Sequence, residues 1–322
     1  MKVLTWHVHG SYLWYLSHVD VDWYLPVRAG RPEGYGGRGG NFAWPDNVHE
    51  IDADAVAEAD VDLVLTQSRR NWETDRHDLL SAAQLRDLPR VHLEHDPPQQ
   101  WPNDAAHPVD DPGTTLVHVT PFNALMWDSG RTPTVTIDHG VVVPHGLTWT
   151  GETERGISVV NNLGRRGRRL GPDVFRRIAA EVPLDLAGMN SDEFAEGIGD
   201  IGLADLHRRL GAYRFLLNPI RYTSLGLAVC EAMALGLPIL GLATTEMAVA
   251  VQNGVSGYVE TDPARLVEHA RRLLRDPAEA AELSAGAKAR AAERFGIDRF
   301  ASQWRELLGE VAAKGAPTGA GP

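Results

Sequence analysis

The first residues able to do chemistry come early. In MKVLTWHVHGSYLWYL, His7 and His9 stand two apart, so on a strand both point to one face. Such a pair suits part of a metal site, or a polar strand end turning into a loop that faces a ligand. Two ligands do not complete a metal site, which usually takes three or four. A second strand end, RVHLEHDPPQ, carries His92, His95 and Asp96. The richest stretch is RYTSLGLAVCEAMALGLPILGLATTEMAVAVQNGVSGYV, residues 221–259. There LLNPI delivers the chain from a strand into a turn, Ser224 stands as N-cap for a helix from Leu225, and Gly226 leaves the first turn open to close approach. Amides at such a start attract a phosphate. Glu231 lies about two turns further on among apolar neighbours, where a carboxylate is costly unless it accepts hydrogen bonds. Ribose hydroxyls would supply them, and so would a salt bridge.

These residues sit on an alternation of strands and helices. KVLTWHV, DWYLPV, VDLVLTQS, RVHLEHD, TTLVHVT and TVTIDHGVVV read as strands, and DRHDLLSAAQLRDL as a helix. Residues 28–47 are too rich in glycine for either and read as a loop near the active cleft. A boundary falls near HGLTWTGETERG, and a second alternation follows it. The expected division is 1–150 and 151–296, with a C-terminal helix over 297–314 packing back on the first domain and a flexible tail at 315–322. Alternating elements imply crossovers and parallel sheets, an α/β fold, with ligand outside the carboxyl ends of the strands.

Composition narrows the function classes. The chain has 322 residues and a net charge of −12; residues 1–150 hold 10 Lys+Arg against 21 Asp+Glu, a net of −11, and the remainder −1. An acidic protein without a basic face disfavours nucleic acid and anionic lipid. The single cysteine, Cys230, excludes an intramolecular disulfide and suits a reducing cytoplasm. No secretory leader pattern and no apolar run of about 20 residues occurs. The expectation is a cytoplasmic protein.

The 221–259 segment resembles the signature of GT-B glycosyltransferases, in particular the retaining family four, whose pattern is E-G-F-G-L-x-x-x-E-A-M-A-x-G-x-P and then D-G-x-T-G. Gly226, Leu227, Glu231, Ala232, Met233, Ala234, Gly236, Pro238, Gly254 and Gly257 fall on matching positions. NNLGRRGRRLGPDVF resembles the family's G-R-L-x-x-x-K-G segment, with Arg166-Gly167 on its Lys-Gly, and His95-Asp96 resembles the strand ending in His-Asp. The family's first Glu is replaced here by Thr223, and its Arg falls on Asn161 or Asn162.

The resemblance implies two Rossmann-like doubly wound domains facing a central cleft. It implies a donor site of Glu231, Arg165, Arg166, Thr223, Ser224, Leu225, Gly226 and Asn161, with His95 and Asp96 at the reacting sugar. The first turn, His9, Gly10, Ser11 and Tyr12, would face acceptor or phosphate. The reaction implied moves a sugar from a nucleotide-diphosphate sugar to the hydroxyl of a saccharide, lipid-linked or small-molecule acceptor, with retention, without metal or cofactor. On this reading His7 and His92 are packed or hydrogen-bonded strand residues. The alternatives are a nucleotide-sugar epimerase on the same scaffold and a nucleotide-sugar-binding protein without activity.

Overall fold

The computed structural model describes residues 1–39 and 42–315. It divides into two compact units, one made of 1–140 with the C-terminal segment from Ile297, the other of Val141–Gly296.

The first unit is built on β1 (Lys2–Thr5), β2 (Asp22–Val27), β3 (Val48–Asp52), β4 (Leu63–Thr66), β5 (Arg90–Glu94), β6 (Thr114–His118) and β7 (Thr134–Thr136). They form one sheet in the order β3-β2-β1-β4-β5-β6-β7, every pair parallel. Its central strands are buried on both faces, as crossover helices require: Leu63, Val64 and Leu65 of β4 are all at most 2% exposed. Four helices belong to its first stretch, α1 (Gly10–Leu16), α2 (Arg76–Leu79), α3 (Ala82–Asp87) and α4 (Pro121–Met126).

The second unit carries β8 (Thr153–Val159), β9 (Leu184–Ala187), β10 (Tyr213–Asn218), β11 (Ile239–Leu242) and β12 (Gly257–Glu260), again all parallel, in the order β12-β11-β10-β8-β9. Around them run α5 (Pro172–Ala179), α6 (Leu203–Leu210), α7 (Leu227–Leu235), α8 (Met247–Ala250), α9 (Pro263–Arg275) and α10 (Pro277–Arg294). Phe175, Phe215, Leu217, Leu240 and Leu266 are fully buried in its core.

The last helix, α11 (Ile297–Gly315), returns to the first unit. Phe300, Trp304, Leu307, Leu308 and Val311, spaced to make one apolar stripe, are all buried. Arg299 donates to the carbonyls of Asp138 and His139, and the Phe300 ring meets Tyr12 edge-on at 5.8 Å.

Four expectations need correction. The first unit ends at Gly140, not 150, because residues 141–150 are bonded into the second: Val141 N–H to Phe295 O, Trp149 N–H to Leu235 O, Thr150 N–H to Gly211 O. DRHDLLSAAQLRDL is two helices, not one. Leu80 turns extended, and Ser81 with Gln84 forms a reciprocal capping box that restarts the chain as α3. α7 starts at Leu227 with Gly226 as N-cap, so Ser224 and Leu225 precede the helix. Strands β3 and β12 were not anticipated; in β3 only Val48 is buried, which leaves no apolar pattern to read. Within the 28–47 loop, residues 40 and 41 lie outside the described residues. So does the tail expected at 315–322, apart from Gly315 as the last residue of α11.

Because α11 closes the core of the first unit, Phe300→Ala is expected to destabilise that unit by about 3–5 kcal/mol. Urea unfolding followed by tryptophan fluorescence measures it, and the second unit's transition should stay in place.

Candidate functional site

Parallel strands gather their following loops at one edge, and a crevice opens where the strand order reverses. In the first sheet that point lies between β1 and β4, in the second between β8 and β10. Both candidate regions lie there.

In the first unit, His9 leaves β1, Gln67 leaves β4, His95 leaves β5 and His139 follows β7. The His9 and His95 rings meet edge-on at 4.4 Å, and Tyr12 meets His95 at 4.8 Å and His139 at 5.7 Å. Burial, then the neighbouring His9, His139 and His92, hold His95 well below the usual imidazole range, so the ring is neutral. The His95-Asp96 backbone is clamped. Glu94 accepts the Asp96 N–H at 2.9 Å, Asn123 donates to His95 O at 3.1 Å, and the Trp127 indole donates to Asp96 O at 2.9 Å. His9 is exposed and Gly10 and Ser11 half-buried, which suits them to meet a ligand. Tyr12 is 3% exposed, its hydroxyl is held far above the usual phenol range by burial, and its ring backs that of His95. Gln67, Asn123 and Trp127 were missed from sequence. The one local signal was T-P-F-N, in which Thr120 caps α4 by accepting from Asn123 N–H.

His92 is a hydrogen-bonded strand residue as anticipated, its Nδ1 2.7 Å from Thr66 Oγ1, whereas His7, with Nδ1 2.6 Å from Gly37 O, is hydrogen-bonded but lies beyond the end of β1 at Thr5. Among the described residues one group, His92, Glu94 and His107, brings three ligand atoms within 4.8 Å of one another. Its hydrogen bonds do not fit a metal. The Val109 N–H donates to His107 Nδ1, which puts the His107 proton on Nε2, 3.1 Å from the Glu94 carboxylate that accepts it. A ligating imidazole needs the opposite arrangement, with its second nitrogen donating.

In the second unit, the loop after β8 and the loop after β10 are stitched side by side. Arg221 and Tyr222 donate their N–H groups to Arg169 O at 2.9 and 3.2 Å. Arg221 also grips Asp173 with two bonds of 2.6 Å, which pull that carboxyl down to about 2. Gly171, at φ +77°, lets the chain pass where a Cβ would stand 2.0 Å from Pro219 O. Arg165 and Arg166 are exposed on this loop; Arg165 pairs with Glu193 at 2.6 Å. Asn161 is exposed, and its Oδ1 accepts from the Met189 N–H.

Thr223, Ser224 and Gly226 are half-buried, whereas Leu225 is 3% exposed and faces inward. No side chain caps α7, and its first turn holds no acid, so its opening keeps donors and positive potential for an anion. Around the position of a Cβ on Gly226 there is open space to 4 Å. Glu231, one turn below Leu227, is 2% exposed, with His207 Nε2 of α6 3.5 Å from its carboxylate.

Residues 173–276 match the family described as Glycosyl transferases group 1. The chain has the GT-B fold, and this stretch of its second unit is similar to the group 1 glycosyl transferases. The fold is shared along its whole length with sucrose-phosphate synthase of Thermosynechococcus elongatus (TM-score 0.70, 16% identity, 98% of this chain and 100% of that one). It is also shared with Anabaena HepE in complex with UDP-glucose (TM-score 0.66, 13% identity, 96% and 100%). Among curated relatives, D-inositol 3-phosphate glycosyltransferase 1 of Catenulispora acidiphila is 32% identical over 184 residues, 45% of this chain and 43% of that one. The chain thus spans under half the length of the curated relatives it matches. No described helix of this GT-B chain is long and apolar enough to cross a membrane.

Burial, then His107, pushes His118 down to about 4, and burial, then His107 and His118, holds His92 well below its usual range. The unfolded chain takes up these protons first, near pH 6.5, so the folded first unit loses stability as pH falls from about 6.5 toward about 4. A denaturation midpoint measured across that window should fall steadily in the wild type and less steeply in His118→Gln.

Proposed function

We propose that the chain transfers a sugar from a nucleotide-diphosphate sugar to an acceptor hydroxyl, with retention and without a metal or other cofactor. The observation that carries this reading is the second unit's switch point. There an arginine-bearing loop and the uncapped start of α7 lie side by side, with a buried carboxylate one turn below, inside a segment that matches a glycosyl transferase family. A diphosphate meets Arg166, Arg165 and the amides at the start of α7, the ribose hydroxyls meet Glu231, and Thr223, Ser224 and Asn161 line the approach. The complex of HepE with UDP-glucose supports a nucleotide sugar as donor.

As the glycosidic bond to the diphosphate breaks, negative charge grows on the leaving phosphate. Fixed N–H dipoles and guanidinium groups stabilise it without reorganising, the same physics as an oxyanion hole. That account needs no divalent ion. Arg165 leaves Glu193 when it engages phosphate, whereas Arg166 has no such exchange to make and is the stronger contact. His95, neutral beside His9, orients the sugar while the acceptor hydroxyl attacks. His9, Gly10 and Ser11 belong to the acceptor side, where a saccharide, lipid-linked or small-molecule alcohol binds.

Arg166→Ala should weaken donor binding about ten- to a hundredfold, the value of a charge-assisted contact. Gly226→Ala gives a cleaner test. At φ −71° the substitution is unstrained and its methyl enters open space, so stability should move by no more than about 1 kcal/mol while donor affinity drops. Calorimetric titration with nucleotides and nucleotide sugars reads both; donor affinity unchanged in both variants rejects the site. Product analysis by NMR gives the anomeric configuration, and conversion of donor without acceptor would identify an epimerase instead.

A further inference from the structure

Gln67 lies at the reversal point of the first sheet, directly after β4, and is 3% exposed. Its amide nitrogen donates to Trp6 O at 3.0 Å and to Thr5 Oγ1 at 2.8 Å. A backbone carbonyl only accepts, so Trp6 O fixes which end of the amide is nitrogen. The other end, Oε1, therefore lies 3.2 Å from His95 Nε2 and accepts its proton. The backbone of Gln67 is tied as well, its N–H donating to Asn71 Oδ1, and Asn71 in turn donates to the buried Asp75. Nothing in this arrangement can rotate cheaply, because turning the amide would set N–H against N–H and leave Trp6 O bare. On the other side of the ring, Nδ1 has no hydrogen-bond partner among the described residues, and it is not a sealed, unsatisfied atom.

We propose that Gln67 is a positioning residue that locks His95 as the Nε2–H tautomer, so that the bare Nδ1 accepts a hydrogen bond from a hydroxyl of the bound sugar. This rests on the glycosyl-transfer reading above for the identity of the hydroxyl, but not for the tautomer. The groups facing His95 are consistent with a neutral acceptor. His9 after β1, Tyr12 on α1, His139 after β7 and His92 on β5 surround it, and no carboxylate among the described residues pairs with it. Beyond the neutral Gln67 amide, a protonated ring would meet further imidazoles and a phenol.

The test separates the two readings. In the full chain labelled with nitrogen-15 histidine, the His95 resonances, assigned by their loss in His95→Asn, should show at neutral pH a protonated Nε2 and an unprotonated Nδ1. Gln67→Leu should shift them toward a tautomer mixture. Gln67→Glu, whose carboxylate still accepts from Nε2, should keep the tautomer and raise the pH at which the ring protonates. In transfer assays Gln67→Leu should lower kcat by about tenfold or more with donor KM within about twofold, Gln67→Glu restoring part of it and moving the acid limb of the pH profile upward. A wild-type ring protonated on Nδ1, or a tautomer unmoved in Gln67→Leu, overturns the lock. An unaltered kcat in a variant whose tautomer has shifted overturns the role in turnover. Absence of transfer with every donor tried counts against the function proposed above, and the spectra still decide the lock.

Discussion

Parallel pairing is the constraint from which the rest follows. Every named strand of both sheets runs parallel to its neighbours, so each sheet sends all its outgoing loops to a single edge. Reversal of strand order then splays two of those loops apart, after β1 and β4 in one unit and after β8 and β10 in the other. Polar groups that could not be buried within a sheet find partners there without breaking the ladder. His95 and Gln67 occupy one such edge, and the arginine loop and the start of α7 the other. The chemistry is concentrated because the pairing leaves no second place for it.

The histidines of the first unit show how the same residue type takes two fates a few ångströms apart. His92, His107 and His118 lie inside, with ring contacts of 5.4 and 6.3 Å between successive members. His107 Nε2–H donates to one oxygen of Glu94, and Glu94 uses its other oxygen to accept the Asp96 N–H. The interior cluster thus reaches the edge through one carboxylate and shapes the turn that carries His95. This arrangement makes the cluster structural, at a cost in tolerance to acid.

Much of this was legible in the sequence. Strong apolar runs such as LVLT and RFLLN mark central strands, and the spacing from Gly226 through Glu231 to Gly257 marks the segment that matches the glycosyl transferase family. What failed did so for physical reasons. β3 is an edge strand with Val48 buried and Ile51 only partly so, three apart and not alternating, so periodicity carried no signal. The break at Leu80 came from a side-chain capping box competing with continuous helix. Ser224 has the right chemistry for an N-cap, yet the chain needs two more residues to clear the turn after Pro219. Gln67 was invisible because its role depends on Trp6 and His95, which are brought beside it only by the sheet order. The pairing of Glu231 with His207 likewise joins residues on different helices.

The return of α11 to the first unit has a consequence for biosynthesis. The apolar stripe from Phe300 to Val311 is the final wall of a core begun at Val3, while the second unit is continuous from Val141 to Gly296. On the ribosome the second unit can therefore mature while the first, although translated earlier, stays open until its missing wall emerges.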